Sequence, residues 1–583
     1  MIKNIKTISA SLREYRGVAL LTVLFIVLEA IFNALIPFFT ARLINNLQSQ
    51  AIDMGAVSRT GLLLLAMAAL SLTAGGLAGF TSAKASAGFA KNLRGDMFRK
   101  IQTYAFANID KFSTPSLITR LTTDIDNVMF SFMFLIREAV RAPLVILFAF
   151  FMAIRMAPSL AYSFLFIIPF LAVALFFIIK FAMPFFRQGF RQFDEINRTV
   201  GENVQAAREV KAYAREDYEK EKFRKASEKM MKIFTKANTI VNFSSPVMQV
   251  AIYFNMLFVF AVGSQMVVSS GGVNLNVGQM SAMLTYGMQI MIQLMFLSMI
   301  FVLITMSAES VRRINEILTE KSTLTSPKNP VHEVEDGSIE FDHVYFKYRE
   351  DAEEYALSDI NFRIEPGMTV GILGGTGSGK SSLVQLIPRL YDISQGSLKV
   401  GGRDVREYDL ESLRDQAVLV LQKNVLFSGT IAENLRWGNA QASDEEVVWA
   451  AKLAQADGFI RDFPDGYESE IEQGGTNVSG GQRQRLTIAR ALLKRPKILI
   501  FDDSTSAVDT KTDALIRQGL KDALPGMTKI IIAQRIDSVK EADQIIVMQA
   551  GQMLAMGSHE ELLKKAASYR ETYEKQGGGV NVQ

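Results

Sequence analysis

No cysteine occurs in these 583 residues, which excludes disulfides, thiolate metal sites and cysteine nucleophiles. Histidine is nearly as scarce. His332, His343 and His559 are the whole set, and none lies between positions 344 and 558. A strong excess of one charge is also missing: +4 is small for this length and excludes a broad footprint for nucleic acid. Charged residues still make up 21% of the chain, while the mean hydropathy is slightly positive. That mixture is expected of a membrane half joined to a soluble half. The amino end, MIKNIKTISASLREYRG, has no cleavage-site pattern and spaces its apolar residues helically among basic ones. It reads as an interfacial helix leading into a retained span.

Long apolar runs are what the chain does have. Stretches able to cross a bilayer, about 20 residues each, lie near 17–40, 57–82, 128–154, 158–183, 244–270 and 277–306. The loops 83–127 and 184–243 are long, helical in pattern and basic, with Lys84, Lys91, Arg94, Arg99 and Lys100 in the first. The connections IRMAPS and SSGGVNLNVG are short, and the second is uncharged. The positive-inside rule puts both long loops and both termini in the cytoplasm. Each long loop reads as a continuation of its spans, because a helix of about 20 further residues projects about 30 Å. Residues 319–337, TEKSTLTSPKNPVHEVEDG, carry turn formers without an apolar period and read as a linker. The expected organisation is a six-span α-helical transmembrane domain over 1–318, that linker, and a soluble domain over 338–583.

The spans hold two notable groups. Met280, Met283, Met288, Met291, Met295 and Met299 recur at near-helical spacing with Tyr286 and Phe296 between them, and the fifth span adds Tyr253, Phe254, Phe258 and Phe260. Flexible thioethers and aromatics suit loosely specified apolar ligands, and equally suit helix packing or a lipid-facing surface. Glu29, Arg137, Glu138 and Arg141 are costly at membrane depth, where charges are often functional; the two arginines could also sit on a solvated extension.

The soluble half carries chemistry in order. TVGILGGTGSGKSSLVQLI reads as a strand, a glycine-rich turn and a helix, and Gly374 to Ser381 match G-x-x-x-x-G-K-[ST]. The backbone N–H groups of Gly374, Gly375, Thr376, Gly377, Ser378 and Gly379 can curl around phosphate oxygens, with the following helix start behind them. Lys380 would reach the β- and γ-phosphates, and the Ser381 hydroxyl would ligate Mg²⁺, with Ser382 next in the helix. ILIFD then supplies a buried strand ending in Asp502, suited to hold Mg²⁺ through water. An α/β P-loop NTPase fold follows.

Between the two strands stands NVSGGQRQRLTIARALLKRPKILIFDD, in which Val478, Ser479, Gly480, Gly481 and Gln482 resemble the LSGGQ signature of ATP-binding cassette transporters. Six spans followed by a cassette resemble the exporter half-transporter arrangement of that family, and the resemblance covers essentially the whole chain. It implies that Tyr348 in VYFKY stacks on adenine and that Gln422 is the Q-loop glutamine contacting Mg²⁺. It also implies that SAVD, ending at Asp509, is the D-loop. In the family, each ATP lies between one chain's P-loop and the other chain's signature, so a dimer, ATP and Mg²⁺ are expected.

Three positions depart from the family. Asp503 stands where most members have a glutamate acting as general base; one methylene fewer withdraws the carboxylate by about 1.5 Å, and misplacement near 1 Å can cost about 100-fold. Gln534 stands where the family has a histidine on the γ-phosphate, and Gln473 stands where exporters often carry glutamate. With the binding residues kept, the sequence predicts a site that holds ATP and hydrolyses it poorly. It resembles the degenerate-site subunit of heterodimeric bacterial multidrug exporters. The implied partners are a second, competent half-transporter, membrane lipid and a small amphipathic cargo such as a drug or lipid, in the bacterial cytoplasmic membrane. A homodimeric exporter of peptide or lipid and a nucleotide-gated regulatory membrane protein are the alternatives.

Overall fold

A run of apolar residues broken only by small ones can bury its small face against a neighbour and leave its large side chains outward. The helix over Met54–Gln102 is built largely that way. The computed structural model describes residues 2–48, 53–503 and 508–576. Two compact units emerge: Met1–Gln102 with Thr114–Glu320, and Thr103–Ser113 with Lys321–Gln583.

Among the described residues of the first unit, six helices are long and apolar enough to cross a membrane. They are built on α1 (Arg16–Leu47), α2 (Met54–Gln102), α4 (Ile125–Met156), α5 (Pro158–Gln205), α7 (Ser244–Ser270) and α8 (Val277–Thr319). Helix α6 (Glu216–Asn242) returns the chain beside α5, and the short α3 (Phe106–Phe112) belongs to the second unit. The 49 residues of α2 and 48 of α5 far exceed a span, as continuations of the apolar segments require. On α2 the buried face is mostly small, with Ala74, Ala78, Ser82, Ala85 and Ser86, whereas Leu65, Leu72 and Phe80 stand exposed.

The methionine series on α8 divides between two faces. Met283, Met291 and Tyr286 are fully buried, and the Tyr286 hydroxyl donates to the Ala34 carbonyl at 2.8 Å, while Met288, Met295 and Met299 are exposed. Four charged residues of the spans meet in one cluster: Arg141 contacts Glu29 at 2.9 Å and Glu138 at 3.6 Å, and Arg137 contacts Glu138 at 3.3 Å. Arg137 and Arg141 are thus both paired with carboxylates, and the Arg137 side chain also keeps 39% of its surface exposed. A second lock ties the start of α4 to α8. Asp124, fully buried at the end of a π-helical stretch, Arg120–Asp124, accepts from Arg313 at 2.7 Å and Ser310 at 2.8 Å.

The second unit carries two sheets. Strands β1 (Ile339–Phe346), β2 (Leu357–Ile364), β4 (Gln395–Val400) and β5 (Arg403–Asp404) form an antiparallel sheet in the order β2-β1-β4-β5. Strands β3 (Thr369–Gly374), β6 (Ala417–Val420), β7 (Ile498–Asp502), β8 (Thr528–Ala533), β9 (Gln544–Gln549) and β10 (Gln552–Gly557) form a second, ordered β10-β9-β3-β8-β7-β6. All of its pairings are parallel except β9 with β10. In β7, Ile498 and Ile500 enter one core cluster and Leu499 and Phe501 the other, which is why the strand reads as an unbroken apolar run. The same unit contains helices α9 (Lys380–Leu386), α10 (Gly480–Leu492), α11 (Thr510–Ala523) and α12 (Ala567–Lys575).

Residues 319–337 are not a free linker throughout. Val334 is 1% exposed and packs into the core with Ile339 and Phe341, and Val331 bridges Tyr408. These two valines anchor a stretch whose turn formers suggested only a connection. The segment 103–113 joins the same unit through Asn108, whose side-chain amide donates to Lys321 O at 3.0 Å and accepts from Thr323 N at 3.1 Å. Tyr391 adds a hydrogen bond to Asp110 at 2.6 Å.

Candidate functional site

Strands β3, β8 and β7 lie side by side, with Leu373 paired to Ala533 and Ile532 to Asp502, so their carboxyl ends open together. Ligands of open α/β sheets bind at such ends. The turn after β3 is shaped by two glycines. A Cβ on Gly374 would sit 2.4 Å from the Met548 carbonyl oxygen, and Gly379 adopts φ +93° where a Cβ would meet Leu357 at 2.8 Å. Gly375, Thr376 and Gly377 form the exposed tip, and Ser378 is buried beneath it. Lys380 crosses the turn, its ammonium donating to Gly374 O (2.9 Å), Gly375 O (2.7 Å) and Ser378 Oγ (3.3 Å). Burial pushes that ammonium's pKa down, against the attraction of Asp502 and Asp503.

Across the sheet ends, the Ser381 hydroxyl donates to Asp502 Oδ1 at 2.9 Å. Burial pushes the Asp502 carboxyl up, the Ser381 hydrogen bond opposes this, and the negative charge of Asp503 adds to it. A hydroxyl beside a buried, under-compensated carboxylate is a donor set that suits Mg²⁺. Among the described residues no three His, Cys, Asp or Glu side chains gather as a metal cluster. A divalent ion here would take most of its ligands from phosphates and water, as Mg²⁺ usually does. Gln422 stands exposed just past β6, the neighbour of β7.

Tyr348 follows β1 and is 45% exposed. Its hydroxyl shares a 2.8 Å hydrogen bond with Ser382, and its ring is edge-packed on Phe346 (4.8 Å) and Tyr391 (5.1 Å). Held at its edges and open on a face, the ring can serve as a stacking shelf.

Asp503 and Gln534 leave neighbouring strands and meet: the Gln534 amide donates to Asp503 Oδ2 at 3.1 Å. Asp503 has φ +48°, a left-handed conformation that aspartate tolerates better than most residues. Burial pushes its carboxyl up, and the Gln534 hydrogen bond and then Lys380 oppose that shift.

The signature residues form a helix start. Val478 is buried, Ser479 is the N-cap of α10, and Ser479 and Gln482 satisfy each other reciprocally: Gln482 N donates to Ser479 Oγ (3.2 Å), and Ser479 N donates to Gln482 Oε1 (2.9 Å). This capping box leaves the Gly480 and Gly481 N–H groups without intrahelical partners, at the positive end of the helix. Among the described residues no hydrogen bond links Val478–Gln482 to Gly374–Ser382. Asn477, which sequence reasoning missed, braces the turn by bonding Glu470 O (2.9 Å) and Glu472 N (3.1 Å). Asp509 caps α11 by accepting from Thr512 N at 3.0 Å. The rest of the SAVD stretch's first half, Ser506 and Ala507, lies outside the described residues.

Residues 19–295 match the model described as ABC transporter transmembrane region, and residues 357–506 match the one described as ABC transporter. The chain is 34% identical to the uncharacterized ABC transporter ATP-binding protein YfiB of Bacillus subtilis (strain 168), over 97% of this chain and 98% of the relative. It is 35% identical to the ATP-dependent lipid A-core flippase of Legionella pneumophila (strain Lens), over 73% of this chain and 71% of the relative. The solved structure of a bacterial Atm1-family ABC exporter with ATP bound superposes with a TM-score of 0.84, covering 98% of this chain and 100% of that one at 23% identity. That last likeness is one of fold.

Proposed function

Because this chain belongs to the ABC transporter family, with its transmembrane and ATP-binding regions in one polypeptide, we propose that it is the ATP-holding subunit of a heterodimeric exporter. In this reading the spans lie in a bacterial cytoplasmic membrane with both termini inside. Tyr348 carries adenine, and Gly374 to Ser382 with Lys380 enclose the phosphates. Ser381, Gln422 and Asp502 serve Mg²⁺, which when bound neutralises phosphate charge. The observation that carries the proposal is the contact between Asp503 and Gln534. The carboxylate that would accept a proton from water is shortened by a methylene relative to glutamate. It is also engaged by an amide, which cannot take up a proton near neutral pH as imidazole does.

Val478, Ser479, Gly480, Gly481, Gln482 and Asp509 act in this reading on the partner's ATP, and the lack, among the described residues, of a hydrogen bond from them to this chain's own P-loop supports that assignment. The cargo is amphipathic, a drug or a lipid; likeness to a lipid A-core flippase favours the lipid end of that class. The test is the fate of nucleotide. After one round of turnover by the chain co-expressed with a candidate partner, intact ATP is expected at the site containing Lys380. Recovery of ADP alone from both sites overturns the proposal.

A further inference from the structure

The loop that carries Gln534 is held from a part of the chain that no nucleotide motif includes. Arg535 is extended, with φ −106° and ψ 136°. In an extended stretch the carbonyl of one residue and the N–H two residues later point the same way, as they do toward a neighbouring strand. Here a single side chain takes the strand's place. The Gln576 amide donates to Gln534 O at 3.0 Å, and its Oε1 accepts from Ile536 N at 2.8 Å. A carboxamide, with one donor end and one acceptor end, is the side chain able to mimic a peptide in this way.

Gln576 is itself fixed. It caps the C-terminal end of α12, its N–H bonding back to Thr572 O and Tyr573 O at 3.1 and 3.2 Å. The helix is anchored by Tyr569, 2% exposed in the same core as Ile536 and Val539, with its hydroxyl 2.7 Å from His559 Nδ1. From the other side Arg517 of α11 donates to Ser538 O. The backbone of 534–538 is thus gripped at both ends, which leaves the Gln534 side chain directed at Asp503.

We propose that Gln576 is a positioning residue of the ATP site: it sets the backbone of Gln534 and thereby the contact that Gln534 makes with Asp503. This rests on the reading that Asp503 and Gln534 flank the bound γ-phosphate. The experiment measures release of Mg-ATP from the full chain in lipid nanodiscs, for wild type, Gln576→Ala, Gln576→Glu, Gln534→Ala and the double variant Gln534→Ala/Gln576→Ala. Gln576→Ala should speed release about two- to tenfold, the scale of one hydrogen bond. Gln576→Glu, which keeps size and acceptor but loses the donor, should release at least as fast as Gln576→Ala. The double variant should be no faster than Gln534→Ala alone, because a group that acts only through Gln534 has nothing to add once that side chain is gone. Release from Gln576→Ala at the wild-type rate, or effects that multiply in the double variant, overturns the proposal. A wild-type chain that fails to retain Mg-ATP overturns the reading of the site, and this inference with it.

Discussion

In the proposed reading two needs conflict at Asp502, because a carboxylate that serves a cation must sit buried when the cation is away. Burial raises its pKa above the ordinary aspartate value, with Asp503 adding to the shift and Ser381 opposing it. A group whose folded pKa is raised contributes stability that is present below the unfolded value and lost as pH rises through the folded one. Ionisation of Asp502 therefore weighs against the nucleotide-free fold. Asp502→Asn should melt at a higher temperature than wild type at pH 7.5 without nucleotide, and the gap should close as pH falls through the raised pKa. With Mg-ATP the order should reverse, since a ligand stabilises only what it binds. The two tryptophans, Trp437 and Trp449, both lie in the nucleotide-binding unit, so selectively excited tryptophan fluorescence reports its melting alone.

Between helices, the Asp124 lock likewise buries a carboxylate, here against a paired guanidinium. The Asp124 side chain is fully buried and holds Arg313, whereas Arg312, the preceding residue, pairs with Glu309 and Glu316 in half-exposed positions. Arg313→Ala should destabilise the helical unit by about 3 kcal/mol, because removing one partner strands a buried charge. Arg312→Ala should cost about 0–1 kcal/mol. Adding Asp124→Asn to Arg313→Ala should recover most of the loss, as helical circular dichroism during thermal melting can establish. The sequence announced the helices here but not the lock. Apolar runs, the Gly374–Ser381 loop and the β7 strand were legible because each is a local pattern with its own period or spacing. Asn108, Tyr391 and Gln576 were not, since each is a polar residue whose partners lie far away in sequence: Lys321 for Asn108, Asp110 for Tyr391, Gln534 for Gln576. The 83–127 loop showed the same limit. Its helical pattern runs on past Gln102, yet the chain leaves α2 there, turns through α3, and breaks again at Ser113 with φ +58°. The Met series on α8 was ambiguous for a different reason, since one period serves both its buried and its exposed faces.

On the scale of the assembled transporter, the proposal divides one chain's catalytic contributions between two ATP molecules. In that reading the base-bearing side, Asp503 with Gln534, serves the nucleotide on this chain's own P-loop. The α10 start belongs to the partner's, and it is intact: the capping box is closed, and the Gly480 and Gly481 N–H groups are presented at a helix end suited to phosphate. A substitution at each place therefore has opposite consequences for the pair. Gly480→Asp adds bulk and a negative charge where anionic phosphate is to dock, while α10 itself tolerates aspartate in its first turn. It should fold and yet stop turnover of the heterodimer, a loss beyond about 3 kcal/mol on the 100- to 1,000-fold scale of removed transition-state contacts. Asp503→Ala removes a carboxylate already withdrawn from the reaction and should lower turnover only modestly. ATPase rates of the two purified variant complexes decide between the assignments. If Gly480→Asp stays near wild type while Asp503→Ala is inactive, the productive ATP is the one on this chain, and the Gln534 amide is then no obstacle to hydrolysis.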